Sequence, residues 1–184
     1  MTQTPTTRSS APTRTERGAH PPIAVIGGGN MASAILAGAS KAGAIDLDRV
    51  VVADPDPSKH GAYPNGVASA TDALEWLAAH TDDKKGDDAN SRAGQVMLAV
   101  KPQIFPLVAE EVWEAFAVGP SRVVLSIIAG TTSATIRGML GDPARVVRVM
   151  PNTPAQVGRG VSAIATGAGA HAGDAALANA LMSS

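Results

Sequence analysis

Cysteine is absent from the 184 residues, which excludes disulfides, thiolate nucleophiles and cysteine-ligated metals. Aromatic residues are scarce at 3%, although hydrophobic residues as a whole reach 45%, so the core must be built from Ala, Val, Ile and Leu. Such a composition suits a parallel sheet covered by helices on both faces. An excess of charge is also missing: the formal net charge is −1, so no nucleic-acid partner and no anionic membrane surface is expected. No apolar run approaches the roughly 18 residues of a membrane-spanning helix, and the amino terminus lacks the apolar centre of a signal peptide. A soluble, cytoplasmic protein with no membrane partner is the expectation. His20, His60, His80 and His171 show no metal-ligand spacing, and no metal is expected.

What is present is an alternation. Residues 1–22 are rich in Thr, Ser, Pro and Arg without hydrophobic periodicity and read as a disordered tail; Glu16 is their single acid, but no amphipathic pattern supports a transit peptide. Order is expected from Ile23. Short apolar runs at Ile23–Ile26, Val50–Ala53, Gln95–Val100, Val123–Ile128 and Arg145–Met150, with a further candidate over Gly160–Thr166, read as strands. Between them lie helical patterns: Asn30–Gly43, a helix capped by Thr71 or Asp72 and running through Leu77, Gln103–Ala117, and one capped by Thr132 or Ser133 and running through Leu140. Residues 80–94 are a polar run expected to be a mobile insertion. Residues 167–184 read as a truncated carboxyl-terminal segment, whose helix from Asp174 to Met182 carries Leu177, Leu181 and Met182 on one face and is expected to fray or to mediate self-association. Strands that alternate with crossover helices predict an α/β fold, a doubly wound, Rossmann-type, mostly parallel sheet with helices on both faces, over residues 23–166.

The strongest local signal is Gly27-x-Gly29-x-x-Ala32, directly after a strand and opening a helix, the context in which a glycine loop binds a dinucleotide. In this pattern Gly27 permits the tight turn, Gly29 lets backbone approach a pyrophosphate, and Ala32 keeps helix and strand close. The loop residues Gly27, Gly28, Gly29, Asn30, Met31 and Ala32 are therefore candidate cofactor contacts, with the helix amino terminus facing the phosphates. Asp54 ends the second strand, where an acid can hydrogen-bond adenosine ribose hydroxyls and disfavour a 2′-phosphate; its alternative is a turn-forming role before Pro55. Ser58 and Lys59 leave the choice between NADH and NADPH open. Ligands in such sheets bind at the carboxyl ends of strands, which adds Ala99, Val100, Lys101 and Pro102, then Ile128, Ala129 and Gly130, and finally Asn152, with Thr153 beside it. No catalytic residue is identifiable: Ser126 lies inside a buried strand without a nucleophile-elbow pattern, and Glu110 and Glu111 read as solvated helix residues.

Four segments together resemble the pyrroline-5-carboxylate reductase family: Ile26-Gly-Gly-Gly-Asn-Met-Ala32, Leu98-Ala-Val-Lys-Pro-Gln103, Ser126-Ile-Ile-Ala-Gly130 and Val147-Arg-Val-Met-Pro-Asn-Thr-Pro-Ala155. The last is the most specific. The resemblance implies reduction of 1-pyrroline-5-carboxylate to L-proline, the last step of proline biosynthesis, with NADPH or NADH as hydride donor. It implies that Gly27–Ala32, Ala99–Pro102 and Ile128–Gly130 hold the cofactor. It also implies a second, all-helical domain that forms the dimer and most of the substrate pocket, and no segment up to Ser184 resembles that domain. This chain is thus expected to supply the cofactor-binding half and to have little activity alone. A non-catalytic NAD(P)-binding module or an inactive paralogue is the competing reading.

Overall fold

Ile23–Ile26 (β1), Val50–Ala53 (β2) and Gln95–Leu98 (β4) are buried at every position, as strands covered on both faces must be. The computed structural model describes residues 20–81, 94–152 and 160–183. With Asn65–Val67 (β3), Arg122–Ser126 (β5), Ala144–Pro151 (β6) and Ser162–Thr166 (β7), the strands form a seven-stranded sheet in the order β3-β2-β1-β4-β5-β6-β7. All pairs are parallel except β6 with β7, where Val147 stands opposite Thr166 and Pro151 opposite Ser162.

The period of two along each strand divides the core. Ala24, Ile26, Val51, Ala53, Val96, Leu98 and Val124 face one layer, against helices Ala70–His80 (α3), Phe105–Ala117 (α4) and Ser133–Leu140 (α5). Ile23, Val25, Val50, Val52, Met97, Leu125 and Val147 face the other, against Asn30–Lys41 (α1) and Ala176–Met182 (α6). A single turn of helix, Pro57–His60 (α2), follows β2. Among the described residues no helix is long and apolar enough to cross a membrane.

Several sequence expectations need correction. Order starts before Ile23: Pro22 is buried and its carbonyl accepts the Gln95 N–H at 2.9 Å, extending β1 toward β4. The cap of α3 is Ser69, whose hydroxyl accepts the Asp72 N–H at 3.0 Å, whereas Thr71 and Asp72 lie inside the first turn. Thr132 caps α5, as expected. The expected insertion at 80–94 is narrower at its front, since His80 closes α3 and stacks on Trp76 with ring centres 4.0 Å apart; residues 82–93 lie outside the described residues. The carboxyl-terminal segment does not present its apolar face to solvent. Leu177, Ala178 and Leu181 are buried against α1, β6 and β7. Asp174, expected to begin the helix, precedes it and is itself buried, paired with Arg145 of β6 at 3.0 Å.

His20 makes the same point at the other end. The Asp46 N–H donates to its Nε2 at 2.8 Å, so the bond requires a neutral ring with its proton on Nδ1, where Pro21 O lies 2.8 Å away. Burial holds its pKa below the ordinary 6.5, outweighing the backbone bonds that oppose the shift. A depressed folded value means that the unfolded chain takes up the proton first as pH falls. His20 therefore contributes stability above about pH 6.5 that is lost on acidification through that value toward the folded one. Thermal melts between about pH 7.5 and 5.5 should show a steeper loss for wild type than for His20→Gln; parallel profiles would assign the pH dependence elsewhere.

Candidate functional site: a cleft at the carboxyl ends of the strands

β1 ends where the chain must turn sharply to start α1. Gly27 makes that turn at φ +103°, a left-handed conformation that side chains resist, and a Cβ there would lie 2.7 Å from the Ala99 carbonyl oxygen. Its N–H donates to Ala53 O at 2.8 Å, so the loop is tied to β2 at its first residue. Gly28 donates its N–H to Asp54 Oδ2 at 2.9 Å, and Asp54 Oδ1 accepts from the Asp56 N–H at 3.0 Å. Asp54 thus holds the glycine loop and the following turn together, and Gly28 is a strut of the site rather than a free amide. A Cβ on Gly28 would meet Lys59 Cβ at 3.1 Å, which explains the absence of a side chain at that point.

Gly29 differs from both. It is the N-cap of α1 in an extended conformation (φ −69°, ψ 172°), no side chain caps the helix, and a Cβ there would meet nothing within 4 Å. The first turn of α1 contains no acid and no side-chain cap, so nothing in the helix itself offsets its positive dipole end. Gly130, at φ +70°, likewise has nothing within 4 Å of a hypothetical Cβ. Gly29 borders a volume that a ligand can fill, while Gly130 stands equally bare after β5, outside the lining of that volume.

That volume is a cleft of about 530 Å³ lined by Gly27, Gly29, Asp54, Ala99, Val100 and Lys101 among the residues expected from sequence. It sits at the carboxyl ends of β1, β2 and β4, where the strand order reverses direction, the position at which open α/β sheets bind ligands. The remaining candidates are placed differently. Asn30 is exposed and Met31 half-buried at the start of α1, while Ala32 is 1% exposed inside the core and acts as the small spacer between helix and sheet. Pro102, Ala129 and Gly130 are exposed and Ile128 is buried, none of them in the lining of the cleft. Asn152 Oδ1 accepts the Val161 N–H at 3.0 Å, bracing the β6–β7 connection. Thr153 falls outside the described residues.

One wall of the cleft was not foreseen. Ile104 and Leu107, 42% and 64% exposed, line it together with Gln103, Val108 and Glu111 from the start of α4. Glu111 is not simply solvated: its Oε1 accepts the Thr71 N–H at 2.9 Å and the Thr71 hydroxyl at 3.2 Å, joining α4 to the first turn of α3. The signal available in sequence was the 104, 107, 108, 111 spacing, one helical stripe. At the mouth, the Ser58 hydroxyl and amide both donate to Asp56 and hold its carboxyl below the ordinary value. Lys59, which with Lys101 is one of two lysines lining the cleft, has its Nζ 3.8 Å from Asp56 Oδ2. Among the described residues no group of His, Asp and Glu could hold a metal ion.

Residues 22–130 match the family model described as NADP oxidoreductase coenzyme F420-dependent. The chain is similar to a pyrroline-5-carboxylate reductase of Haemophilus influenzae, 36% identical over 79% of this chain and 48% of that protein. Among solved structures, a pyrroline-5-carboxylate reductase from Coxiella burnetii superposes with a TM-score of 0.64 at 29% identity, over 88% of this chain and 55% of the other. A Plasmodium falciparum pyrroline carboxylate reductase with NADP bound superposes with a TM-score of 0.66 at 26% identity, over 87% and 53%. The chain spans about half the length of the relatives it matches.

Proposed function

Because the chain belongs to that NADP oxidoreductase family, we propose that it supplies the cofactor-binding half of a pyrroline-5-carboxylate reductase, which reduces 1-pyrroline-5-carboxylate to L-proline with NADH or NADPH. The observation that carries the reading is the bare backbone at Gly29, set in a cleft at the reversal point of the sheet. In this reading the pyrophosphate lies against Gly29 and the first amides of α1, and the adenosine half runs toward Asp54 and the apolar wall of Ile104 and Leu107. The nicotinamide half runs the other way, over the ends of β4, β5 and β6, past Ala99, Gly130 and Asn152. The nicotinamide supplies hydride to the imine carbon; the chain's own part is to bind and orient it. A small-molecule substrate and a cytoplasmic site of action belong to the same proposal.

Asp54 lines the adenosine side of this cleft, and Lys59 beside it is drawn toward Asp56 at 3.8 Å. A 2′-phosphate placed there meets the Asp54 carboxylate, which the half-exposed Lys59 offsets only in part, so NADH is the expected partner, by about tenfold over NADPH. The test joins this chain to the remaining half of a pyrroline-5-carboxylate reductase and assays it with 1-pyrroline-5-carboxylate and each cofactor. Proline formation with a preference for NADH is expected, and Asp54→Ala should erase the preference. A chimera that folds and binds cofactor but forms no proline overturns the substrate assignment. Tighter binding of NADPH, unaffected by Asp54→Ala, reduces Asp54 to a loop fastener.

A further inference from the structure

Arg148 stands on β6 directly across from Ser126 of β5. Its guanidinium is partly withdrawn from water, and burial lowers its pKa. Among the described residues it has no acidic partner within ion-pair distance. Its hydrogen bond is from Nη1 to Ser126 Oγ, at 2.8 Å. Ser126 is fully buried, and the same Oγ accepts the Ile128 N–H at 3.3 Å. Withdrawing a cation from water is unfavourable, and an apolar residue could fill this volume without that penalty. The arrangement therefore calls for an explanation other than packing.

The chain beyond Ser126 supplies one. β5 leaves the sheet here: Ile127 N–H makes a last bond to Leu98 O at 3.1 Å, Ile128 is buried as a peg, and Ala129 and Gly130 emerge into solvent. Gly130 then presents bare backbone at φ +70°. The course of this turn is set by the atoms that hold Ile127 and Ile128, and Ser126 Oγ is one of them. With both of its acceptor positions occupied, the hydroxyl is locked between a strand and the turn that follows it.

We propose that Arg148 is a positioning residue for the nicotinamide half of the dinucleotide, acting through Ser126 to fix the Ile127–Gly130 turn. The inference rests on the cofactor reading above. It differs from that reading in where its effect falls. Arg148 lies on β6, three strands from β1 in the sheet order and so away from Asp54 and the glycine loop, and its loss should be felt by the nicotinamide end of a ligand and not by the adenosine end.

The experiment compares NADH with ADP-ribose, which lacks the nicotinamide, as calorimetric probes of the whole chain. Arg148→Met keeps an unbranched apolar stem and removes the donor; Ser126→Ala removes the acceptor. Each should weaken NADH binding about tenfold, leave ADP-ribose within about twofold, and alter the fluorescence of bound reduced nicotinamide. Because Arg148 acts only through the Ser126 hydroxyl, the double variant should be no weaker than Ser126→Ala alone. Arg148→Lys, which retains a donor, should recover part of the loss. Equal losses for the two probes would show a merely structural role and overturn the proposal, as would unchanged NADH affinity or additive effects. Should Arg148→Met fail to fold, Ser126→Ala and Arg148→Lys decide by the same comparison. Wild type that binds ADP-ribose but gains nothing from the nicotinamide also overturns it. Wild type that binds neither probe defeats the cofactor reading itself.

Discussion

Gly29→Val is expected to weaken NADH binding by about a hundredfold, roughly 2.7 kcal/mol, while leaving a folded protein. Gly27→Val, two positions earlier, is expected to lose the fold. The difference follows from what surrounds each Cα. At Gly29 the backbone is extended and a side chain meets nothing within 4 Å, so valine occupies only the space assigned to the pyrophosphate. Its penalty on stability is that of a poor N-cap, about 1 kcal/mol, a shift of roughly 2–4 °C in Tm for a chain of this size. At Gly27 the left-handed backbone and the Ala99 carbonyl 2.7 Å away leave no relaxed position for a side chain. Strain and overlap together cost about 3 kcal/mol or more. Calorimetry with NADH and a thermal melt on each variant check both statements. Equal NADH affinity in wild type and Gly29→Val would remove the pyrophosphate from this loop.

Breaking the buried pair between Arg145 and Asp174 should be the largest single loss of stability outside the glycine loop. Both side chains are almost wholly withdrawn from solvent, at 6% and 0% exposure. Arg145 Nε donates to Asp174 Oδ2 at 3.0 Å, the same oxygen accepts the His171 N–H at 2.7 Å, and Arg145 Nη1 donates to Ser121 Oγ at 3.0 Å. The network ties the segment leading into α6 to the start of β6. Asp174→Ala removes the carboxylate from beside a buried guanidinium, at a cost of about 3–5 kcal/mol, roughly 6–20 °C in Tm. Arg145→Met should cost a similar amount by stranding the carboxylate. The double variant Arg145→Met with Asp174→Leu should be clearly less destabilised than the sum, since both buried charges are then removed together. Denaturant titration of the four proteins measures the coupling. Additive losses would mean that each residue is held by other contacts.

The parts of this fold that were legible in the sequence are those whose signal is local. Ile23–Ile26, Val50–Ala53 and Gln95–Leu98 announce themselves because a strand buried on both faces needs an unbroken apolar run. The glycine loop is legible because its spacing answers to one turn. β3 was missed: Asn65-Gly-Val67 is three residues long, half-buried and without alternation, and only its pairing with Val51–Ala53 makes it a strand. Asp174 looked like the start of a helix, because its partner, Arg145, is distant in sequence and nothing in either neighbourhood reports the other. The exposed-looking face of Leu177 and Leu181 was misread for the same reason, since its cover is α1. At the site, Ile104, Leu107 and Glu111 have the spacing of an ordinary amphipathic helix, and only the packing of α4 beside α3 turns them into a cleft wall.

The place of β1 in the sheet bears on how the chain is made. Of the described strands it is synthesised first, yet it lies in the interior of the sheet, between β2 and β4. Val50–Ala53 and Asn65–Val67 can join it early, because both follow closely behind it on the ribosome. Its other edge has no partner until Gln95–Leu98 emerges, opposite Ile23–Ile26. Through that interval a nascent chain displays an open parallel edge made of residues that the finished protein hides completely. Such an edge is a template for pairing with another chain, and translation speed across residues 68–94 sets how long it stays open.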